Sequence, residues 1–530
     1  MSLFQALSVA CVAFVLAGLL WVLVRRNECI IRPSYIFLAF FWLQVQFASA
    51  VNAPYIETQL ANPWVYFLLI QLFPVALLLL IFVTFREKAL EVSAHIRGWS
   101  DRATLPSLVG RAAVLLCVVG LVFAGYLTFV PFQRTGLYAL LFEPQLADQY
   151  RELSMKLANL GWFHYPFTLM EKALAPLAGA YVALIIALLW SRSRRMLLPV
   201  AALGLVLATL PTTIYGARGP AVMVFVAAIF AFVVARGRRP TPWLLIGAVV
   251  IALVPAVVIM ALKSESFAPR VLLYQAGNIL DRAVGRTFCD NVSHVAYVQE
   301  NGFHGIGAIE KLAPIFGVDA VDPLNKVGRK LYTECRSYGL AFLQFGEDPL
   351  QSAEAERLAA ELGKLQALSP ASLTSELAAR RAQLEKQLIA FEHRKAEIAA
   401  QLERMTRDLA VDLRETTSAG ASFVVLNYSM FGLWFIVPSL LFAIGLDLLL
   451  YAYARMPAEG AIIAIGASVV PILTLCFSLW TTVLASKGLL MVPLLAWLVS
   501  RVPDAWFSAG HWRALVATTP LQSVLARATR

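Results

Sequence analysis

Eleven apolar stretches of about 20 residues set the terms for this chain, because a helix of that length and composition spans the hydrocarbon core of a bilayer. They lie at roughly 3–24, 34–52, 64–85, 112–131, 169–191, 196–215, 220–236, 242–262, 422–446, 460–483 and 485–501. Lipid offers no water to backbone N–H and C=O groups, so each stretch must pair its own, which an α-helix does. The 59% hydrophobic composition and mean hydropathy of +0.71 agree, since soluble domains hold about 45–50% apolar residues. The expected fold class is all-α: a polytopic membrane helical bundle with about 11 transmembrane helices and a large extracytoplasmic loop containing a helical hairpin. The apolar N-terminus has neither a charged leader nor a cleavage site, so it reads as a first membrane helix.

Orientation follows from where Lys and Arg fall, more than from the net charge of +11. Basic clusters follow the first helix (Arg25, Arg26, Arg32) and separate the third and fourth (Arg86, Lys88, Arg97, Arg102, Arg111). Others follow the fifth (Arg192, Arg194, Arg195), the seventh (Arg236, Arg238, Arg239) and the eleventh (Arg501, Arg513, Arg527, Arg530). In an alternating eleven-helix arrangement all five fall on one side, which the positive-inside rule makes cytoplasmic. The N-terminus is then outside and the C-terminus inside. The segment 132–168, the turn at Arg218 and the loop 263–421 face outward.

The chain divides accordingly. Residues 1–262 hold eight helices, with the outward amphipathic segment 132–168 among them. Residues 263–350 form an extracytoplasmic cap loop, 351–415 a helical hairpin, 416–502 the last three helices and 503–530 a cytoplasmic tail. The hairpin carries Leu358, Leu362 and Leu365 on a first helix, broken at Ser369-Pro370. On the second, Leu377, Leu384, Phe391, Ile398 and Met405 recur every seven residues, with Arg381 and Lys395 weakening the seam.

The chain has no Walker motif, GxSxG, HExxH or CxxC pair, so no cofactor and no metal is expected. Cys289 and Cys335 share the large loop, and an outward location permits a disulfide between them without establishing one. The motif that stands out is Tyr215-Gly216-Ala217-Arg218-Gly219-Pro220, a tight turn between two apolar helices. An arginine at that depth is either a binding residue or an interfacial side chain snorkelling to headgroups. Arg282 and Arg286 are four apart and share a helix face, where they bind an anion or contact headgroups. Asp281, Asp290 and His294 are the nearby groups able to act as a general base. The small and polar residues around Asn427 line a cavity or pack helices.

Taken together, these features resemble the Wzy-type oligosaccharide repeat unit polymerases, grouped with the O-antigen polymerases and ligases. The resemblance rests on four cues in order: the outward stretch Leu141-Phe142-Glu143-Pro144 through Arg151-Glu152, the Gly216-Ala217-Arg218 turn, the large outward loop, and the Asn427-Tyr428-Ser429-Met430-Phe431-Gly432 segment. It implies a GT-C-type glycosyltransferase in the bacterial inner membrane, joining undecaprenyl-diphosphate-linked oligosaccharides at the periplasmic face. Lipid-diphosphate-linked donor and acceptor would be its substrates; of the candidate binding residues Arg218, Arg151, Arg282, Arg286, Tyr215 and Asn427, the resemblance itself carries over Arg218. The hairpin at 351–415 departs from the pattern and would serve a partner such as a chain-length regulator; no nucleic acid is implicated. A ligase moving a finished glycan, a glycolipid transporter or flippase, and a membrane scaffold are the competing readings.

Overall fold

The computed structural model describes residues 2–143, 164–192, 197–215, 218–237, 286–303, 421–478, 480–485 and 488–502, with short pieces at 146–147, 150–151, 153–154, 257–259, 305–308, 361–362 and 377–386 and isolated positions between 262 and 400. Among the described residues it is a helical bundle without strands. We label α1 Leu3–Arg25, α2 Pro33–Val51, α3 Pro63–Val83, α4 Arg86–Ile96, α5 Leu105–Phe129, α6 Gly136–Phe142, α7 Tyr165–Ser191, α8 Leu198–Thr213, α9 Arg218–Arg236, α10 Arg286–Asn301 and α11 Phe423–Phe431. Beyond these, α12 comprises Ile436–Gly445 and Leu449–Ala454 joined by a 3-10 turn, α13 is Ala458–Phe477 and α14 Met491–Ser500. Among the described residues eight helical stretches, the run Phe423–Ala454 counted as one, are long and apolar enough to cross a membrane, while α8 and α14 are apolar but shorter. Large apolar side chains such as Leu121, Val200 and Leu441 are exposed, as lipid permits and water would penalise. The proposed helix 242–262, most of the hairpin and the C-terminal tail lie outside the described residues. Of the hairpin, Glu361 pairs with Arg380 across the proposed break, and Arg381 turns to Glu385 while Leu384 is buried.

Helices in lipid gain nothing hydrophobic by meeting each other, so close backbone approach through small residues must hold them. The sequence supplies it at α9. Gly179 of α7 lies against Val224, and Gly466 of α13 lies against Ala227 and Ala231, so α9 is gripped between two glycine notches. Two cores result. One joins α5, α7, α9, α14 and the first half of α13. The other joins α1, α2, α3, α10, α11 and the second half of α13, from Val469 to Cys476. Thus α13 contributes to both, as does α12 through Ala443 in the second and Leu450 and Tyr453 in the first.

One end of the bundle collects the basic loops. Trp99 donates to the Ala235 carbonyl at 2.6 Å, His95 to Met456 at 2.7 Å, and Arg192 to Ser100 and Ala103 at 3.0 Å. Two ion pairs lie just inside this basic end. Arg111 meets Glu459 at 3.0 Å and the Val502 carbonyl at 3.1 Å. Arg32, 1% exposed, meets Asp447, 0% exposed. The Asp447 carboxylate also accepts the Ser34 N–H at 2.9 Å and its hydroxyl at 2.7 Å, capping the N-terminus of α2. The sequence treats Arg32 as one more interfacial charge; the fold buries it.

Two segments differ from the sequence expectation. The proposed helix 422–446 is not one span. Asn427 Nδ2 donates to Ser439 Oγ at 2.9 Å although the two are 12 residues apart, a separation of about 18 Å along a straight helix. Phe423 and Phe442 also stack, with centroids 5.4 Å apart. The chain therefore doubles back, and α11 is a buried short helix folded onto α12. The bend is at Gly432 (φ 58°, ψ −140°), a conformation open essentially to glycine alone. Phe303 packs where a Cβ would stand, 3.1 Å away. Gly432→Ala is expected to cost about 1–3 kcal/mol, read as a lowered midpoint of thermal unfolding in nanodiscs.

The second difference concerns the proposed cap at 263–350. Its described helix α10 enters the bundle rather than covering it. Phe288, Val292, Val295 and Val298 recur at helical spacing and are buried in the second core. Tyr66, inside α3, donates to the Phe288 carbonyl at 3.4 Å, and Gln299 pairs with Asn62 at the helix mouth.

Three spanning helices contain π-helical turns: Trp42–Gln46 in α2, Phe67–Leu72 in α3 and Met170–Leu174 in α7. Such turns each insert one extra residue and often sit at functional places. The first two face each other: Gln46 Nε2 donates to the Gln71 carbonyl at 3.2 Å and Gln71 Nε2 to the Gln46 carbonyl at 3.3 Å.

Candidate functional site

The end opposite the basic loops carries the proposed site residues, in two separate places. The first is built on the turn between α8 and α9. The 3-10 turn Leu210–Thr213 ends α8, and the Ile214 carbonyl accepts the Leu137 N–H at 2.9 Å, tying α6 to the turn. Tyr215 is buried, its ring edge-on to Tyr126 at 5.8 Å and to Phe167 at 5.0 Å. Tyr215 hydrogen-bonds to Tyr126, whose hydroxyl donates to the Ser154 carbonyl at 3.2 Å. Burial pushes the Tyr215 phenol well above its ordinary range, and Tyr126 and Glu171 add to the rise. Tyr215 is thus a neutral anchor that fixes the turn. Arg218 opens α9 directly after it; its side chain lies outside the described set.

Beside Tyr215 lies a group that the reading by sequence passed over. Glu171 and Lys172 occupy the π-helical turn of α7 and form an ion pair, with side chains 11% and 21% exposed. Gly488, just before α14, packs against the backbone of this turn, since a Cβ there would lie 3.6 Å from the Lys172 carbonyl. An adjacent Glu-Lys inside an otherwise apolar span is a visible signal, as charges in a membrane helix are costly and usually functional.

Arg151 belongs to the segment leading into this place. Its backbone carbonyl accepts the Ser154 hydroxyl at 2.9 Å, and its Nε is buried with no hydrogen bond among the described residues. Nearby Tyr150 is pushed up to about 12 by burial and by its hydrogen bond to Glu143.

The second place is the α10–α11 pair. His294 is buried and its Nδ1 lies 2.7 Å from the Asp290 carbonyl. A carbonyl only accepts, so Nδ1 carries a proton. Asn291, fully buried, accepts the Ser422 N–H at 2.8 Å and so joins α10 to α11. Tyr215 packs in the first core and α10 in the second, so the described contacts do not join His294 and Asp290 to the Arg218 turn. Asp281 and Arg282 lie outside the described residues, as does the side chain of Arg286.

Asn427 lies inside the bundle. Its amide is fully buried, donating to Ser439 and accepting from Trp480 Nε1 at 3.2 Å. Both ends meet helix partners, so it is a packing node between α11, α12 and Trp480. The Cys289–Cys335 pairing falls outside the described side chains. No group of three or more metal-ligating side chains occurs among the described residues. In comparisons with known proteins no family model, no curated protein and no solved structure matches this chain, so its own residues carry the functional reading.

Proposed function

We propose that this chain is a membrane glycosyltransferase that polymerises undecaprenyl-diphosphate-linked oligosaccharide repeat units into a bacterial surface polysaccharide. The observation that carries the reading is the meeting of the Arg218 turn with the Glu171–Lys172 pair at the end of the bundle away from the basic loops. On this reading the bundle sits in the bacterial inner membrane with that end facing the periplasm. A lipid diphosphate lies at the headgroup level, within reach of cations on α7 and α9, while its glycan stays in water.

The net chemistry is a substitution at the anomeric carbon, compatible with retention or inversion. A hydroxyl of the acceptor glycan attacks, the bond from that carbon to the diphosphate oxygen breaks, and undecaprenyl diphosphate leaves. Arg218, Arg151 and Lys172 offset the charge gathering on the leaving diphosphate, and Arg282 and Arg286 remain further cations for it. The hydroxyl proton passes to a base. Glu171, beside the turn, joins Asp281, Asp290 and His294 as the groups able to take it.

The test is a product ladder from purified chain in nanodiscs supplied with lipid-diphosphate oligosaccharide of its own host. Arg218→Ala is expected to lower ladder formation by about 10²–10³-fold, the cost of losing one preorganised charge donor, with Arg218→Lys intermediate. A ladder unchanged in a well-folded Arg218→Ala protein overturns the role of that turn. A single transfer to a lipid acceptor would indicate a ligase, and glycolipid movement without new glycosidic bonds a flippase.

A further inference from the structure

A groove of about 240 Å³ opens between α5, α7 and α8. Its walls are apolar throughout, from Leu105, Val109 and Leu116 on α5 to Leu189 on α7 and Val200 and Gly204 on α8. The α5 wall from Leu105 to Leu116 measures about 16 Å at 1.5 Å per residue, roughly half of a 30 Å hydrocarbon core. The groove therefore occupies one leaflet, starting at the basic end. An apolar cavity of about 150 Å³ already holds benzene, so this one accepts a section of a single alkyl chain.

Its mouth is charged. Arg192 follows the α7 wall and donates through Nη2 to the carbonyls of Ser100 and Ala103, just before the α5 wall begins. That uses one nitrogen of a guanidinium with five N–H donors, leaving Nε and Nη1 at the exposed rim. Arg97 and Arg102 are exposed close by, Arg102 donating through Nη2 to the carbonyls of His95 and Arg97, with the exposed Asp101 beside them. Guanidinium forks match phosphate oxygens; a zwitterionic headgroup carries a phosphate too, but its own ammonium group is repelled by these cations, so a net anionic headgroup gains more.

We infer that this groove is a binding site for an anionic phospholipid of the leaflet at the basic end, one acyl chain lying in the groove and the phosphate at Arg192. The site is independent of the transferase reading and lies at the other end of the bundle. Arg192 then holds the α4–α5 junction, α7 and the lipid together.

The experiment is native mass spectrometry of the full chain, delipidated in detergent and titrated with phosphatidylglycerol or phosphatidylcholine of identical chains. We expect one retained phosphatidylglycerol at about tenfold lower concentration than phosphatidylcholine. Arg192→Gln should remove the preference and Arg192→Lys keep most of it. Ala113→Phe, which fills the groove from an exposed position, should reduce retention of both lipids with an unchanged melting temperature. Equal retention of the two lipids, indifference to Ala113→Phe, or displacement of phosphatidylglycerol by equimolar undecaprenyl phosphate would each overturn the assignment.

Discussion

Asp447→Ala is expected to be the most damaging single substitution in the membrane domain, lowering stability by about 3–5 kcal/mol. Arg32 would keep its charge at 1% exposure with only the Ile81 carbonyl and the distant Thr84 hydroxyl as partners. The N-terminus of α2 would lose the carboxylate that accepts the Ser34 N–H and hydroxyl, at the helix end where negative charge is favoured. The double variant Arg32→Met with Asp447→Leu is expected to be less harmful than either single one, because no uncompensated charge remains. Unfolding midpoints in nanodiscs decide the matter. If the double variant lost as much as the two single losses added together, the damage would come from lost packing and not from an orphaned charge.

Gly466→Leu should follow closely, at about 3 kcal/mol or more, since overpacking alone typically costs 1–3. Even the first added carbon would stand 2.7 Å from the Ala231 Cβ, 2.8 Å from its nitrogen and 2.9 Å from the Ala227 carbonyl. Two of these are backbone atoms, so no rotamer change relieves the contact and α9 must move. Because α9 begins at Arg218, the displacement reaches the proposed site, and Gly466→Ala should reduce ladder yield more than its melting temperature alone would suggest. Gly120→Ala is the control: nothing lies within 4 Å of the added carbon, and alanine favours the helix by roughly 0.5–1 kcal/mol. Wild-type melting by Gly466→Ala would show that α9 and α13 are not held by this notch.

Much of the bundle was legible because hydropathy marks helices in lipid almost directly. α1, α2, α3, α7 and α9 begin and end within a few residues of their apolar runs. α5 begins earlier, at Leu105, because Pro106 suits a first helical turn and extends the helix past its apolar stretch. Composition could not expose the doubling back at Gly432. The run from Phe423 is apolar on average despite Asn427, Ser429 and Ser439, and a buried helix folded onto its neighbour reads like a span. The signal was one glycine before Leu433-Trp434, not distinguishable from a packing glycine. Asn427 illustrates the same limit, for a polar residue at a helix edge looks alike whether it faces a cavity or bridges to Ser439 and Trp480. Glu171 and Lys172 were readable in principle. They were absorbed into an apolar stretch whose ends were set by average hydropathy, and an average hides a pair.

Finally, α13 is among the most enclosed helices of the bundle and belongs to both cores, yet it is made after most of the helices it packs against. Asp447 emerges from the ribosome 415 residues after the arginine it neutralises. At about 5–20 residues per second that is a delay of roughly 20–80 s. Throughout it, the early helices sit in the bilayer with the α9 face that receives Gly466 open, and Arg32 waits at the interface. Biogenesis of this protein must therefore include a long-lived, half-assembled stage, the natural substrate for insertion chaperones and membrane proteases. Truncated chains ending before residue 447 should be cleared rapidly from cells, whereas chains ending just after α14 should persist.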